Sequence, residues 1–202
     1  LASHALLAGL DGHVFLDRGR EWVITTGVSG SYVSGSEDAI LRLQRSSARY
    51  YQRPDASHLG LDPSARTMTG WNVQFDFNRN AGNFRPNASL WAVSPGYEVN
   101  DLGFQTSADR AGGHAAFSWR KPTPDRFTRY RQVTVSKWYA WNTAGDALGD
   151  GLFTSASVTW PNYWSSGAGV HVGRQVYSDR LTRGGPIMRS PGFRSIFAHA
   201  ES

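Results

Sequence analysis

The sequence predicts an all-β protein of antiparallel strands, and three observations lead to this expectation. In the segment 70–78, Trp71, Val73, Phe75 and Phe77 alternate with polar residues, and a side-chain period of two residues is that of a β-strand. Glycine and tryptophan are abundant, with 22 and eight residues. Apolar residues make up only 40% of the chain and occur in short alternating runs. This composition is typical of all-β proteins, including membrane β-barrels with a hydrated lumen.

Predicted elements in the first half of the chain are long strands, one short helix and polar loops. Residues 22–33 are rich in β-branched residues and glycine, which predicts a strand of the length that a tilted bilayer crossing needs. Ser36 is a candidate N-cap of a helix that continues through Leu43, because two acidic residues follow the serine. The alternating strand extends over 68–79, and Asn and Gly in 80–83 predict a turn after it.

The second half of the chain repeats this pattern of strands separated by turns. Proline, glycine and asparagine mark the connections, the longest of which follows residue 93. Together with the first half, the pattern predicts about eight or nine antiparallel strands. The strands predicted here cover 84–93, 115–121, 127–142, 152–160, 168–177 and 193–199.

Whether the apolar strand faces meet lipid or a protein core decides what the protein can do. Trp and Tyr gather near strand ends, as in 138–141 and 160–164, where membrane barrels carry aromatic girdles. The predicted strands also exceed the five or six residues usual in soluble sheets. Both observations favour an up-and-down transmembrane barrel over a soluble β-sandwich, which remains the alternative. In a barrel, the lumen-facing residues of the alternating strand are Asn72, Gln74, Asp76 and Asn78.

We expect neither a membrane-spanning helix nor a signal peptide in the N-terminal region of this sequence. The longest candidate for an apolar helix, Ala5–Leu10, is far shorter than the roughly 20 residues that a spanning helix needs. No basic segment precedes it, and Leu1 is not an initiator residue. We therefore expect 1–202 to be a single β-barrel region that is a fragment of a larger barrel.

Charge and cysteine content exclude several classes of function. Lys and Arg number 21 against 16 Asp and Glu, a net charge of +5, but the arginines are scattered and no nucleic-acid recognition motif accompanies them. This distribution suits strand ends and loops near anionic head groups, or a charged lumen. The chain has no cysteine, which excludes disulfides, thiolate metal sites and a cysteine nucleophile.

A search for catalytic and metal-binding patterns finds little. The six histidines show no spacing typical of a zinc site, and each is interpreted as an ordinary surface or lumen residue. Glu98 and Asp101 form the nearest approach to a carboxylate pair, which a glycoside hydrolase uses as acid and nucleophile. Because glycines flank both carboxylates, we favour a role as acceptors that shape a loop.

Four segments carry a resemblance to a known family. They are Tyr51–Asp55, Ser94–Phe104, Asp109 and Arg183–Met188, and together they are similar to the domain-of-unknown-function 5916 family of large Gram-negative outer-membrane proteins. The similarity extends from about Trp22 to Arg194. Its most specific part is a family-motif loop composed of Ser94, Pro95, Gly96, Asn100, Asp101, Gly103 and Phe104.

The resemblance implies the β-barrel region of a bacterial outer-membrane protein, often found C-terminal to a carbohydrate-binding family 9-like module. It implies no catalytic residue, metal or cofactor, so the expected role is a pore or scaffold for glycan or nutrient uptake. The expected partners are outer-membrane lipid, a glycan or small solute, and the remainder of the barrel, with no nucleic acid. A soluble carbohydrate-binding β-sandwich and a glycoside hydrolase using Glu98 and Asp101 are the alternatives.

Overall fold

The computed structural model describes residues 2–202 and consists mainly of one antiparallel sheet. Nine strands pair in the order β1 to β8 and then β11, while β9 and β10 form a small second sheet. The prediction of an all-β antiparallel fold with a short helix is therefore confirmed. The elements are β1 Ala2–Phe15, β2 Trp22–Gly35, α1 Glu37–Arg45, β3 Thr67–Arg79, β4 Phe84–Val93, β5 Arg110–Lys121, β6 Tyr130–Trp141, β7 Ala147–Thr159, β8 Ser165–Gly173, β9 Val176–Ser178, β10 Met188–Ser190 and β11 Phe193–Glu201.

The large sheet has two free edges. Strands β1 and β11 each pair with one neighbour, β2 and β8 respectively, and within residues 2–202 they do not pair with each other. The sheet is thus an open arc, and a closed barrel is not formed by these residues.

The two faces of the sheet differ in polarity along its whole width. In the β2–β3 register Val28 lies opposite Val73, and in the β4–β5 register Pro86 lies opposite Phe117, so apolar side chains share one face. We call this the apolar face and the opposite side, which carries Asn72, the polar face. Large side chains exposed on the apolar face include Leu10, Val28, Trp71, Phe75, Leu90, Phe117, Val135, Leu152 and Ile196.

The two ends of the sheet differ in the length of their connections. At one end, called the short-turn end, the strands are joined by 16–21, 80–83, 122–129 and 160–164. At the opposite, long-loop end the connections are 36–66, 94–109, 142–146 and 174–192. Three of the four connections at the long-loop end are therefore much longer than any at the short-turn end.

Helix α1 packs on the polar face at the long-loop end. Its N-cap is Ser36, as predicted, whose hydroxyl accepts a hydrogen bond from the Ala39 N–H at 3.3 Å. Ile40 is fully buried against Val33 and Met68, which are direct partners in the β2–β3 register. In residues 2–202, no helix is long and apolar enough to cross a membrane.

Several strand boundaries differ from the predictions. Ala5–Leu10, considered as a helix candidate, lies within β1, where pairing with β2 provides its backbone hydrogen bonds. Leu6, Ala8 and Leu10 alternate onto the apolar face there, so they follow a strand period. β5 begins at Arg110 instead of residue 115 because β4 and β6 flank its glycines on both sides.

We expect Ile40→Ala to destabilise α1 and its adjoining loop by about 2–5 kcal/mol, because the truncation leaves a cavity beneath the helix. Hydrogen exchange of the amides in 37–45, measured on the full-length protein, checks this expectation. Leu41→Ala is the control, since Leu41 lies on the same helix and is only half-buried. Equal loss of protection in both variants would contradict the packing described here.

Candidate functional site

Long connections fold back onto the polar face and form one loop cluster. We define the loop cluster as residues 46–60, 94–109, 142–146 and 174–187. Two hydrogen bonds attach it to β2: the Tyr97 hydroxyl lies 2.6 Å from the Ser29 hydroxyl, and the Glu98 N–H donates to Ser31 Oγ at 2.9 Å. Both serines point to the polar face, so the cluster covers that face at the long-loop end.

The loop after β4 passes directly over β3, where two glycines permit the approach. A side chain at Gly96 would overlap the Thr69 carbonyl oxygen, and one at Gly70 would overlap the backbone of Tyr97. The Trp71 N–H donates to Ser94 Oγ at 2.7 Å in the same crossing. Ser94 and Gly96 of the family-motif loop therefore fix where this loop lies on the sheet.

A buried ion pair forms the inner part of this crossing. Arg49 Nη1 lies 2.7 Å from Glu98 Oε2, and the two side chains are 0% and 4% exposed. Arg49 also donates to the Tyr97 carbonyl, and Glu98 Oε1 accepts the Asn100 N–H at 2.7 Å. Asp101, the other predicted carboxylate, is exposed. Glu98 thus shapes the loop and holds an arginine.

A second carboxylate, Asp179, gathers three arginines from different parts of the chain. Its oxygens lie 2.7 Å from Arg110 Nη2, 3.7 Å from Arg53 Nη1 and 3.8 Å from Arg180 Nε. Arg180 also donates to the Ala48 carbonyl at 2.9 Å. Burial lowers the pKa of Arg180 from its usual value, followed by repulsion from Arg110. Asp179 therefore joins the connections after β2 and β8 to the start of β5.

Asp109 holds a third junction of the loop cluster. Its backbone has a φ of 57°, and its carboxylate lies 2.8 Å from His58 Nε2 and accepts the Thr143 N–H at 3.1 Å. His58, interpreted from the sequence as an ordinary surface or lumen residue, is thus bonded to a buried carboxylate. Burial raises the pKa of Tyr51 to about 12, so this tyrosine stays neutral at physiological pH.

The segments that carry the family resemblance meet in this cluster. Within the first segment, Arg53 reaches Asp179 and Asp55 accepts the Ile187 N–H, which belongs to the last segment. Gly184 has a φ of 102°, and a Cβ atom at Gly184 would overlap the side-chain amide of Gln52. Residues that are far apart in sequence therefore form one polar network.

The outer part of the family-motif loop is a solvent-exposed turn. The Gly103 N–H donates to the Val99 carbonyl at 2.7 Å, and Asn100 Oδ1 accepts the Gln105 N–H at 2.8 Å. Phe104 is 88% exposed. Half of the motif thus packs on the sheet, and the other half projects from it.

The predicted lumen residues lie together on the polar face of β3. Gln74 donates to an Asp76 carboxylate oxygen at 2.8 Å, and Asn78 is bonded to Asn87 of β4. His114 of β5 continues this network through Asn87. Asn72 occupies the same face nearer the loop cluster.

A cavity of about 410 Å³ lies between α1 and the family-motif loop. Its lining combines Val33, Leu43 and Ala48 with Glu98 and Gln105. The cavity is large enough for a small polar solute and opens beside the exposed turn.

Sequence reasoning missed the ionic partners Arg49, Arg110, Asp179 and Arg180. The contacts between Arg180 and the Ser47 and Ala48 carbonyls span 133 and 132 residues, so no local spacing reveals them. The available signal was indirect: Arg49 precedes the first family segment closely, and Asp179 and Arg180 precede the last.

Replacing Glu98 by Gln should lower the free energy of unfolding by about 3–5 kcal/mol, because Arg49 is then a buried charge without its partner. Denaturant unfolding of the full-length protein measures this loss. Glu37→Gln removes an exposed ion pair, in which the side chain of Glu37 is 48% exposed and that of Arg66 is 74% exposed. This change should lower the free energy of unfolding by less than about 1 kcal/mol. Similar costs for both variants would show that the buried pair has no special role.

We expect Gly96→Ala to destabilise the protein by about 1–3 kcal/mol, because the methyl group forces the loop away from Thr69. Gly103→Ala is the control in the same loop, where a Cβ would meet the nearest atom at an ordinary 3.6 Å. Unfolding midpoints of the two variants provide the comparison. A Gly103 variant as unstable as the Gly96 variant would contradict the close crossing.

Comparison with protein-family models gives a match over most of the chain. No curated protein matches the chain. A family model described as a domain of unknown function (DUF5916) matches residues 30–181, a range that includes the buried network from Arg49 to Arg180. Because this match covers well over half of the sequence, the chain belongs to the DUF5916 family.

Proposed function

We propose that this chain is an arc of a bacterial outer-membrane β-barrel that acts passively, as a pore or scaffold for the uptake of glycans or other nutrients. The apolar face contacts lipid in this proposal, and the polar face lines the lumen. The loop cluster occupies part of the lumen at the long-loop end.

The observation that carries the proposal is the polarity of the two faces. In a water-soluble sheet the apolar face is covered and the polar face meets solvent. Here the polar face is the one on which helix and loops pack, while side chains such as Trp71 and Leu90 on the other face are about half exposed, at 51% each. Lipid is the medium in which such an apolar surface is stable.

Strand lengths and connection lengths support the same function. The nine paired strands contain 9–14 residues, and a tilted bilayer crossing needs about 9–11. Outer-membrane barrels have short turns on the periplasmic side and longer loops outside. The loop cluster accordingly faces the cell exterior in this proposal.

An ion pair on the apolar face near the long-loop end fits this orientation. Lys137 contacts Asp150, and Arg174 approaches the same carboxylate at 3.4 Å. Asp150 is the fourth residue of β7, close to the long-loop end, and Arg174 directly follows β8. Lys137 is the eighth of the 12 residues of β6, and its long side chain extends toward Asp150, which lies opposite Tyr139 and thus nearer the long-loop end. The charged groups of the pair are therefore closer to the membrane interface than the Lys137 backbone is.

The free edges identify the partner that the arc needs. Unpaired backbone N–H and C=O groups along β1 and β11 are costly in lipid, where water cannot satisfy them. We propose that further strands of the same barrel pair with both edges and close the sheet.

Phe75→Arg and Gln74→Arg place the same charge on opposite faces of one strand. In the barrel, Arg at position 75 should cost up to about 2–4 kcal/mol on the lipid face and reduce assembly, whereas Arg at position 74 is solvated in the lumen. Outer-membrane fractionation of the full-length protein, with heat-modifiable gel mobility as the sign of a folded barrel, provides the measurement.

Two outcomes would contradict the proposal. Equal tolerance of both arginines would show that position 75 does not contact lipid. A wild-type protein recovered in the aqueous fraction without a mobility shift would exclude the barrel and favour the soluble carbohydrate-binding β-sandwich, whose glycan binding could then be measured directly.

A further inference from the structure

The net charge of the chain is concentrated at the short-turn end. We count the four short connections, the two strand residues on each side of every one of them, and the last two residues of β11. Together they contain nine Lys or Arg side chains and four carboxylates. The remaining sequence contains 12 of each and is neutral. The whole excess of +5 therefore lies at one end of the sheet. The nine basic residues are Arg18, Arg20, Arg79, Arg85, Arg120, Lys121, Arg126, Arg129 and Arg131.

Three of these side chains lie on the apolar face, at its border. Arg79 is the partner of Trp22 in the β2–β3 register, and Lys121 is the partner of Arg131 in the β5–β6 register. Each register also places apolar side chains two residues further along the same face, among them Phe77. A band of basic side chains thus borders the proposed lipid surface.

Aromatic rings accompany the arginines at this border. The Arg79 guanidinium lies 5.1 Å from the Trp22 ring centre, and the Arg131 guanidinium lies 5.6 Å from that of Trp119. Among the described residues, five of the six cation–aromatic pairs belong to the short-turn end. Amphipathic rings with adjacent cations are suited to the level of lipid head groups.

Carboxylates at the short-turn end neutralise only part of this charge. Glu21 pairs with Arg79 at 3.1 Å, and Asp125 pairs with Lys121 and, at 3.6 Å, with Arg131. Hydrogen bonding from Lys121, and then from backbone N–H groups, holds the pKa of Asp125 well below its usual range. Six further arginines of the short-turn end have no carboxylate within 4.0 Å among residues 2–202. These are Arg18, Arg20, Arg85, Arg120, Arg126 and Arg129.

At the long-loop end, several arginines are paired with buried carboxylates. Arg49, Arg53 and Arg110 are each held by a buried carboxylate of the loop cluster. The buried charges at that end are therefore satisfied within the protein, and its exposed arginines that lack a carboxylate partner among residues 2–202, such as Arg42, Arg45 and Arg189, belong to the part of the sequence whose total charge is zero. The unpaired arginines at the short-turn end are not balanced in this way, so they are available to an external anion.

We propose that the basic residues at the short-turn end, other than Arg85 and Arg120, which the register places on the polar face, form a belt that binds the phosphate groups of anionic phospholipids in the leaflet it faces. The proposal rests on the function proposed above and specifies one partner of the same barrel. Guanidinium groups bind phosphate through paired, charge-assisted hydrogen bonds, and several bonds act together along the belt. The tryptophans anchor the same level of the barrel in the interface.

The test uses the full-length protein, folded into vesicles of phosphatidylcholine alone or mixed with phosphatidylglycerol. Heat-modifiable mobility measures the folded fraction, and mass spectrometry after mild detergent extraction measures which lipid remains bound. We expect the wild type to fold in both vesicles and to retain phosphatidylglycerol preferentially. The triple variant R18Q/R20Q/R126Q, which removes exposed arginines without a carboxylate partner among residues 2–202, should lose this preference by about tenfold.

The control triple variant R42Q/R45Q/R189Q removes the same charge from exposed positions at the long-loop end and should keep the preference. Equal loss in both triples, or no preference in the wild type, would overturn the belt while leaving the barrel intact. Failure of the wild type to fold in either vesicle would instead contradict the proposed function. If R18Q/R20Q/R126Q does not fold, the variants R18Q and R126Q are measured singly, and unchanged lipid preference in both overturns the belt.

Discussion

The register of the nine-stranded sheet is the constraint on which the other features depend. Side chains alternate with a period of two, so a shift of one residue in any strand pair would exchange its apolar and polar sets. In the β2–β3 register, for example, apolar Val28 lies opposite apolar Val73, and polar Ser29 lies opposite polar Asn72. The bond between Ser29 and Tyr97 needs this same register, because a slipped β2 would turn its serines away from the loop cluster. Face polarity and loop position are thus consequences of one geometric rule.

The loop cluster shows how a chain rich in arginine can fill the polar face. Arg49 and Arg53 are almost fully buried, and a buried cation is tolerated only when it is paired and hydrogen-bonded. Glu98 pairs with Arg49, and Asp179 pairs with Arg53. The Tyr97 carbonyl accepts a further hydrogen bond from Arg49, and the Ala48 carbonyl accepts one from Arg180, which also contacts Asp179. Because each carboxylate joins segments from different connections, the network holds the long loops together without a large apolar core. The resulting network gives a structural role to segments that carry the family resemblance.

Local patterns made the strands and the helix N-cap predictable, whereas the loop cluster was not. Alternation identified β3 to within a residue, and Ser36 with its acidic neighbours identified the start of α1. β1 was missed because Ala5–Leu10 reads as a short apolar run until β2 is placed beside it. The cluster around Asp179 depends on contacts with residues that are distant in sequence, such as Arg110, which lies 69 positions before Asp179. No spacing rule connects such residues, since the sheet, rather than the sequence, brings them together.

The two ends of the sheet differ in how far their arginines are paired with carboxylates, and this difference follows from the length of the connections. A connection as long as 36–66 or 174–192 can fold back over the sheet and bring carboxylates to its arginines. A connection as short as 80–83 cannot fold back over the sheet, and six of the nine basic residues at the short-turn end have no carboxylate within 4.0 Å among residues 2–202. Short turns therefore leave a positive surface where long loops bury one. In the proposed barrel that positive surface meets the head groups of a single leaflet, so connection length would set orientation and lipid contacts together.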